Sequence, residues 1–376
     1  MFEMNNPFIY GAPVFGDDFV DRDKEIDDIG RELRNGKSIV LFSVRRMGKS
    51  SLLLEMMRRH SRDFLFVYVD LYGVTSKNEA LQLFASAVIN SAYTKVQRAA
   101  QAALGLLRAL SARVVMTPEG IIGVEFGRRD LELLETRQVF DLAEDIAKKR
   151  NKRVVVILDE FQEICSLDVV ALLKVMRSRF QMHRNVTYVF SGSKRHLLFG
   201  IFEETEGAFY HFAKPVELGP IPRTVYATFL VDKFRSQGGE IDTESIEEIL
   251  DLSRGSPYVV QHLAYELFNV SRKPKYPRDV NSAVKAAIRS GSPAYSMVWD
   301  SIKSSLQRRY LLAVAAEPDV PHGASFIERY GLRSSSHVQK VVKNLDAKGI
   351  TEGGAIVDPM FALWLESLSE SVSLGA

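Results

Sequence analysis

Short, continuously apolar runs alternate with longer stretches of helical periodicity as far as residue 219. The runs are Ser38-Ile39-Val40-Leu41-Phe42, Phe64-Leu65-Phe66-Val67-Tyr68-Val69-Asp70, Arg153-Val154-Val155-Val156-Ile157-Leu158-Asp159-Glu160 and Asn185 to Ser193, with Val216-Glu217-Leu218 as a fifth. Strands apolar on both faces belong inside a parallel sheet covered by helices. Their alternation with helical segments predicts an α/β layer with right-handed crossovers. The interposed helices read as 21–35, 77–112 and 133–150. The last ends in Lys148-Lys149-Arg150, basic residues suited to a helix C-terminus.

Other segments depart from this alternation. Residues 5–20 are aromatic, Gly and Pro without periodicity, and read as an ordered loop laid over an apolar surface. Val114 to Phe126, with Pro118-Glu119-Gly120 at its centre, reads as a hairpin inserted beside the sheet, near 113–127. After Gly219-Pro220-Ile221-Pro222 the periodicity is helical only, over 223–236, 243–252, 257–271 and 278–290, which predicts a small helical domain. Arg289-Ser290-Gly291-Ser292-Pro293 reads as a linker. From Met297 the pattern gives three helices and a ribbon, Ile350 to Pro359, folded around Gly353-Gly354 like a wing. The divisions are therefore 1–219, 220–291 and 292–376.

The first apolar run ends in Ser43-Val44-Arg45-Arg46-Met47-Gly48-Lys49-Ser50-Ser51, and a helix opens there. A strand, a Gly-Lys-Ser turn and a helix N-terminus direct backbone N–H groups and a positive dipole end at one point, where an anion satisfies them. Residues 43–51 are thus expected to cradle the phosphates of ATP or ADP. Lys49 would reach the β- and γ-phosphates and Ser50 would ligate Mg²⁺. Ser43 replaces the first glycine of the pattern, so the turn must form by another route.

Asp159 and Glu160 end the third strand, and the carboxyl ends of parallel strands face the ligand crevice. Asp159 would hold Mg²⁺, and Glu160 would orient and deprotonate the attacking water. Ser191 and Ser193 close the fourth strand, where a polar side chain would lie beside the γ-phosphate; turn residues at a strand exit explain the same letters. Arg177, Arg179 and Arg195 are candidate arginine fingers for a ring-forming remodeller. Ser256 and Pro257 make a good helix entry, Ser256 as N-cap and Pro257 in the first turn.

Asn151-Lys152-Arg153-Val154 lacks the aspartate of a guanine-reading element, so GTP specificity is not supported. Paired Cys-x-x-Cys and His-Glu-x-x-His spacings are missing, which argues against a dedicated transition-metal site. Cys165 is the single cysteine and cannot form an internal disulfide, in keeping with a reducing cytoplasm. No apolar run approaches the ~20 residues of a membrane span, and Met1 to Phe15 lacks signal-peptide character. The net charge of +2 exerts no global pull on nucleic acid or membrane. In the last part, Ser334-Ser335-Ser336 precedes an amphipathic helix, His337 to Leu345, which in a winged helix would enter a major groove. Residues 295–376 carry eight Lys/Arg against nine Asp/Glu, a weak footprint for duplex DNA.

These residues together resemble the archaeal-type ATPase family within the AAA+/STAND group of P-loop NTPases. The resemblance runs through Asn6-Pro7-Phe8, Phe19 to Glu25, Arg45 to Leu52, Leu158-Asp159-Glu160-Phe161-Gln162-Glu163-Ile164, Phe190 to Ser193, Gly255-Ser256-Pro257 and Asp358 to Leu365. It implies a three-layer ASCE-type sheet of order 5-1-4-3-2, a helical lid and a C-terminal winged helix. It implies an adenine pocket formed partly by Phe8 to Val14, including Tyr10, and closed near Pro257. It places the sensor 1 role at Ser193 or Ser191 and tolerates serine at position 43. No plain sensor 2 arginine follows the Gly-Ser-Pro element: Arg254 precedes it, His262 follows it, and the role is unassigned. The expected activity is Mg²⁺-dependent ATP hydrolysis that switches the lid and winged helix, in a monomer or a nucleotide-dependent oligomer. The alternative is a DNA-binding switch with slow hydrolysis; the sequence names no protein client.

Overall fold

The computed structural model describes residues 6–92, 113–116, 122–126, 131–167, 170–270, 279–318 and 323–373. The expected helical stretch beyond Ala92 and the Pro118-Glu119-Gly120 turn lie outside the described residues. The chain divides into two compact units. One is Arg22–Val44 with Lys49–Gly219; the other is Met1–Asp21, Arg45–Gly48 and Pro220–Ala376. The N-terminal segment and Arg45–Gly48 thus group with the helical part, whereas the sequence divisions placed them in 1–219.

The first unit holds α1 (Asp23–Arg34), β1 (Ile39–Phe42), α2 (Lys49–Arg59), β2 (Leu65–Asp70), α3 (Lys77–Ala92), β3 (Arg113–Met116), β4 (Ile122–Glu125), α4 (Leu133–Arg150), β5 (Val154–Asp159), α5 (Val170–Phe180), β6 (Val186–Gly192), α6 (Arg195–Phe202) and β7 (Lys214–Glu217). Its parallel sheet runs β2-β5-β6-β1-β7. Counting only the strands of this sheet in chain order, the sequence of neighbours is 5-1-4-3-2. β3 and β4 pair antiparallel as a separate hairpin, with Arg113 opposite Glu125. Every residue of β1, β5 and β6 is buried, as continuously apolar strands require. The register sets Asp70 beside Asp159 and Phe42 beside Gly192, so the carboxyl ends of β1, β5 and β6 finish at one edge.

α4 ends at Asn151 in the left-handed region (φ 48), with Lys148, Lys149 and Arg150 in its last turn. At the other limit of this unit, Arg22 is 4% exposed; its guanidinium donates to the Gly219 carbonyl at 2.6 Å and pairs with Glu25 at 2.8 Å. The clamp ties the first residue of the unit to its last.

The second unit contains α7 (Arg223–Ser236), α8 (Thr243–Ser253), α9 (Pro257–Val270), α10 (Val280–Ser301), α11 (Ser305–Ala316), α12 (Ala324–Arg329), α13 (Ser335–Ala347), the ribbon β8 (Thr351–Glu352) and β9 (Ala355–Ile356), and α14 (Pro359–Ser373). α10 corrects the sequence reading: residues 289–293, expected as a linker, lie inside one continuous helix that includes Pro293. Proline costs an interior helix hydrogen bond, yet Ala283, Ala287 and Tyr295 bury this helix in the unit's core and outweigh that loss. The wing is present, with Thr351 opposite Ile356 and Gly353 and Gly354 both at positive φ. The expected loop near the N-terminus is anchored by Phe8, 2% exposed, whose ring lies 5.0 Å from that of Phe234. Among the described residues, no helix is long and apolar enough to cross a membrane.

Candidate active site

The loop after β1 shows how serine replaces glycine at position 43. Positive φ angles fall on Arg46 (66°) and Gly48 (83°) and not on Ser43, so the turn makes no demand there that serine cannot meet. Ser43 is buried, and its hydroxyl accepts a hydrogen bond from Lys49 Nζ at 2.9 Å. The same ammonium lies 3.4 Å from the Ser43 carbonyl and 3.5 Å from that of Val44. Lys49 opens α2 and is 7% exposed. Ser50 and Ser51 follow in the first turn of α2, where backbone N–H groups have no intrahelical acceptor.

Asp159 is 4% exposed at the end of β5. Its Oδ2 accepts from Tyr68 Oη at 2.6 Å and from Ser50 Oγ at 3.3 Å, and its Oδ1 accepts from the Glu160 backbone N–H at 3.0 Å. Burial, reinforced by the Asp159 charge, raises the Tyr68 hydroxyl well above its usual proton affinity, so Tyr68 stays a donor. The chain thus brings a hydroxyl oxygen and a carboxylate oxygen together at the helix start. Two hard oxygen donors at a helix N-terminus fit Mg²⁺, which takes few protein ligands and completes its shell with water and other oxygens. Among the described residues, no group of three or more His, Cys, Asp or Glu could hold a metal without such help.

Glu160 leaves the strand in the left-handed region (φ 50). For a non-glycine residue that costs of order 1–3 kcal/mol and persists where surrounding bonds hold it. Here they do: Glu160 Oε2 accepts from Ser193 Oγ at 2.8 Å and from the Gln162 side-chain amide. Of the two sensor 1 candidates, Ser193 is therefore the one brought to the acidic pair. Ser191 is fully buried and its hydroxyl has no partner. Tyr68 and Gln162 had no role in the sequence reading. Tyr68 sat inside an apolar strand like any half-buried aromatic, and only the register of β2 with β5 brings its hydroxyl to Asp159.

In the second unit, Arg46 lies with its guanidinium 4.1 Å over the Tyr258 ring and 2.9 Å from the Asp358 carboxylate. A methyl at Gly48 would come 4.0 Å from Pro257, so Gly48 and Pro257 are neighbours. Tyr10 stacks on His262 with ring centroids 4.0 Å apart. His262 is 2% exposed and its Nδ1 has no partner; burial, helped by the Arg46 charge, pulls its imidazole down to about 4. Of the expected base-pocket residues, Phe8 is a core residue whose ring is enclosed by aromatic neighbours, while Tyr10 and Pro257 sit with the polar cluster. α9 begins at Pro257, so Ser256 and Pro257 take the expected N-cap and first-turn positions, and the Ser256 carbonyl accepts from the Val259 and Val260 N–H groups; the buried Ser256 hydroxyl itself has no partner.

The candidate arginine fingers are engaged within their own unit. Arg179 binds Asp141 at 2.6 Å, Arg195 binds Glu217 at 2.7 Å, and Arg177 lies 4.5 Å over Phe212. Cys165 is half-buried, and burial pushes its thiol up to about 11, which keeps it an unreactive core residue.

Residues 19–263 match the family model described as an ATPase domain predominantly from Archaea, and residues 293–367 match one described as a probable winged helix domain. No curated protein sequence matches the chain. Among solved structures, a Walker-type ATPase of Pyrococcus abyssi is similar at a TM-score of 0.67 and 19% identity, over 96% of this chain and 99% of that one. The ORC2 protein of Aeropyrum pernix in ADPNP–ADP complexes is similar at 0.55 and 13% identity, over 99% and 98%. The ORC1 protein of the same organism in complex with DNA is similar at 0.51 and 14% identity, over 96% of each. At these identities the likeness is one of fold.

Proposed function

The chain belongs to the family of ATPase domains found predominantly in Archaea, and we propose that it binds ATP at the loop of residues 43–51 and hydrolyses it with Mg²⁺. One observation carries this reading: Ser50 Oγ, at the start of α2, lies 3.3 Å from Asp159 Oδ2, while Lys49 lines the same loop. The loop and the acidic strand end, 109 residues apart in sequence, meet because β1, β6 and β5 finish at one edge of the sheet.

The residues divide the work. The loop backbone and the α2 N-terminus take the phosphate charge. Lys49 exchanges its Ser43 contacts for β- and γ-phosphate oxygens. Ser50 and Asp159 would hold Mg²⁺, which when bound neutralises charge developing on the phosphates. Glu160 accepts a proton from water as the water oxygen bonds to the γ-phosphorus and the bond to the β,γ-bridging oxygen breaks, leaving ADP and phosphate. Arg46, in the same loop, contacts Tyr258 and Asp358. An anionic ligand competing for its guanidinium weakens the Tyr258 and Asp358 contacts, and a ligand shifts a conformational equilibrium only through such differential contacts.

Calorimetry with ATP and Mg²⁺ tests the reading. Lys49→Ala should lose at least about a hundredfold in affinity, whereas Glu160→Gln should keep binding and slow hydrolysis by about a hundredfold or more. Wild-type protein that binds no ATP would overturn it.

A second reading, a nucleotide switch on duplex DNA, has its own observation. The exposed face of α13 presents Lys340 and Lys343, with Arg333 before it and Lys348 after it, while Asp346 of the same helix bonds to Thr351. The near-neutral charge of 295–376 therefore hides a locally basic helix. Binding that falls steeply with salt, and falls further in Lys340→Glu and Lys343→Glu, supports this reading; salt-independent or absent binding removes it.

A further inference from the structure

We propose that Gln162 is a positioning residue for hydrolysis: it orients the Glu160 carboxylate toward the attacking water. This rests on the ATPase reading above and adds a residue to the same site.

The geometry is specific. Gln162 follows Glu160 by two residues in the 3-10 helix Phe161–Leu167 and is 1% exposed. Its amide nitrogen donates to Glu160 Oε2 and lies 3.4 Å from Glu163 Oε1. Ser193 Oγ donates to the same Glu160 Oε2 at 2.8 Å. Two donors from two different segments thus converge on one carboxylate oxygen and turn the other, Oε1, away from them. A base whose oxygen is held in this way needs no reorganisation when a water arrives, which is the advantage of a preorganised site.

The amide is itself placed by a glycine. A Cβ added at Gly192, the last residue of β6, would lie 1.9 Å from Gln162 Oε1. The side chain occupies the space that any larger residue at 192 would fill. Gln162 Oε1 is buried there with no hydrogen-bond partner. Leaving a buried carbonyl unpaired costs about 1–3 kcal/mol. A leucine or methionine at 162 would avoid that cost but lose the bonds from the amide nitrogen to Glu160 and Glu163. The bond to Glu160 is the interaction that only the amide supplies.

The test is steady-state hydrolysis of radiolabelled ATP by the full chain, with ATP in excess over enzyme. Gln162→Leu should lower kcat by about tenfold or more and leave KM and the calorimetric ATP affinity within about twofold. In a Glu160→Gln background the same substitution should cost nothing further, because the group it positions is gone. Gly192→Ala, which displaces the amide and keeps the glutamine, should reproduce the kcat loss and serves if Gln162→Leu does not fold. Wild-type hydrolysis matched by both variants would overturn this role and leave the ATPase reading standing, as would an equal loss in the Glu160→Gln background. A wild type with no hydrolysis would remove the ATPase reading itself.

Discussion

Arg46 and Asp358, 312 residues apart in sequence, are joined by an ion pair of 2.9–3.0 Å involving both carboxylate oxygens. Arg46 adopts a positive φ of 66° in a loop that groups with the unit of lid and winged helix. Asp358 does two jobs, because its Oδ1 also accepts from the Met360 N–H at the start of α14. Both side chains are partly solvated, so the pair contributes little to stability, about 0.2–1 kcal/mol. A double-mutant cycle of Arg46→Ala and Asp358→Asn in urea unfolding should return a coupling in that range, shrinking as salt is raised. Asp358→Ala should cost about 1 kcal/mol more than Asp358→Asn, since it also removes the cap. A coupling of zero at low salt would sink the prediction.

His262 is neutral when folded, with its imidazole pulled from the ordinary 6.5 down to about 4. Tyr10, Tyr258, Arg46 and Glu266 surround it. The unfolded chain therefore binds more protons than the folded one between those two values. Stability falls as pH drops through that window, by an amount of order 3 kcal/mol for this group. Carboxylates titrate over the same range, so the measurement is a difference. Urea unfolding of wild type and His262→Leu from pH 7 to 4 should diverge, the variant losing less stability on acidification. Parallel pH profiles would show that burial does not hold this imidazole neutral.

Ser43 gives Lys49 a neutral acceptor, not a charged one, and a neutral hydrogen bond is worth about 1 kcal/mol net. Phosphate oxygens carry charge and win the ammonium easily. Ser43→Ala should accordingly leave the dissociation constant for ATP within about tenfold of wild type, as read by calorimetry. A loss comparable to that of Lys49→Ala would mean that the hydroxyl itself engages the nucleotide.

The parallel sheet, the strand–turn–helix around Gly48-Lys49-Ser50 and the acidic strand end were legible in the linear chain because each is a local pattern. Short unbroken apolar runs spaced by helical segments read as strands of a covered parallel sheet, and a Gly-Lys-Ser turn before a helix has one common use. The antiparallel pair β3–β4, the helices after residue 222 and the wing were readable for the same reason. What needed tertiary structure was every relationship between distant segments. The helix through residues 289–293 formed despite Gly291 and Pro293, because burial of Ala287 and Tyr295 outweighs local propensity, a term invisible in a five-residue window. Tyr68 and Gln162 acquired roles only through the register of β2 on β5 and the missing side chain at Gly192. Hydrogen bonds act over about 3 Å, and the folded chain alone decides which groups come that close.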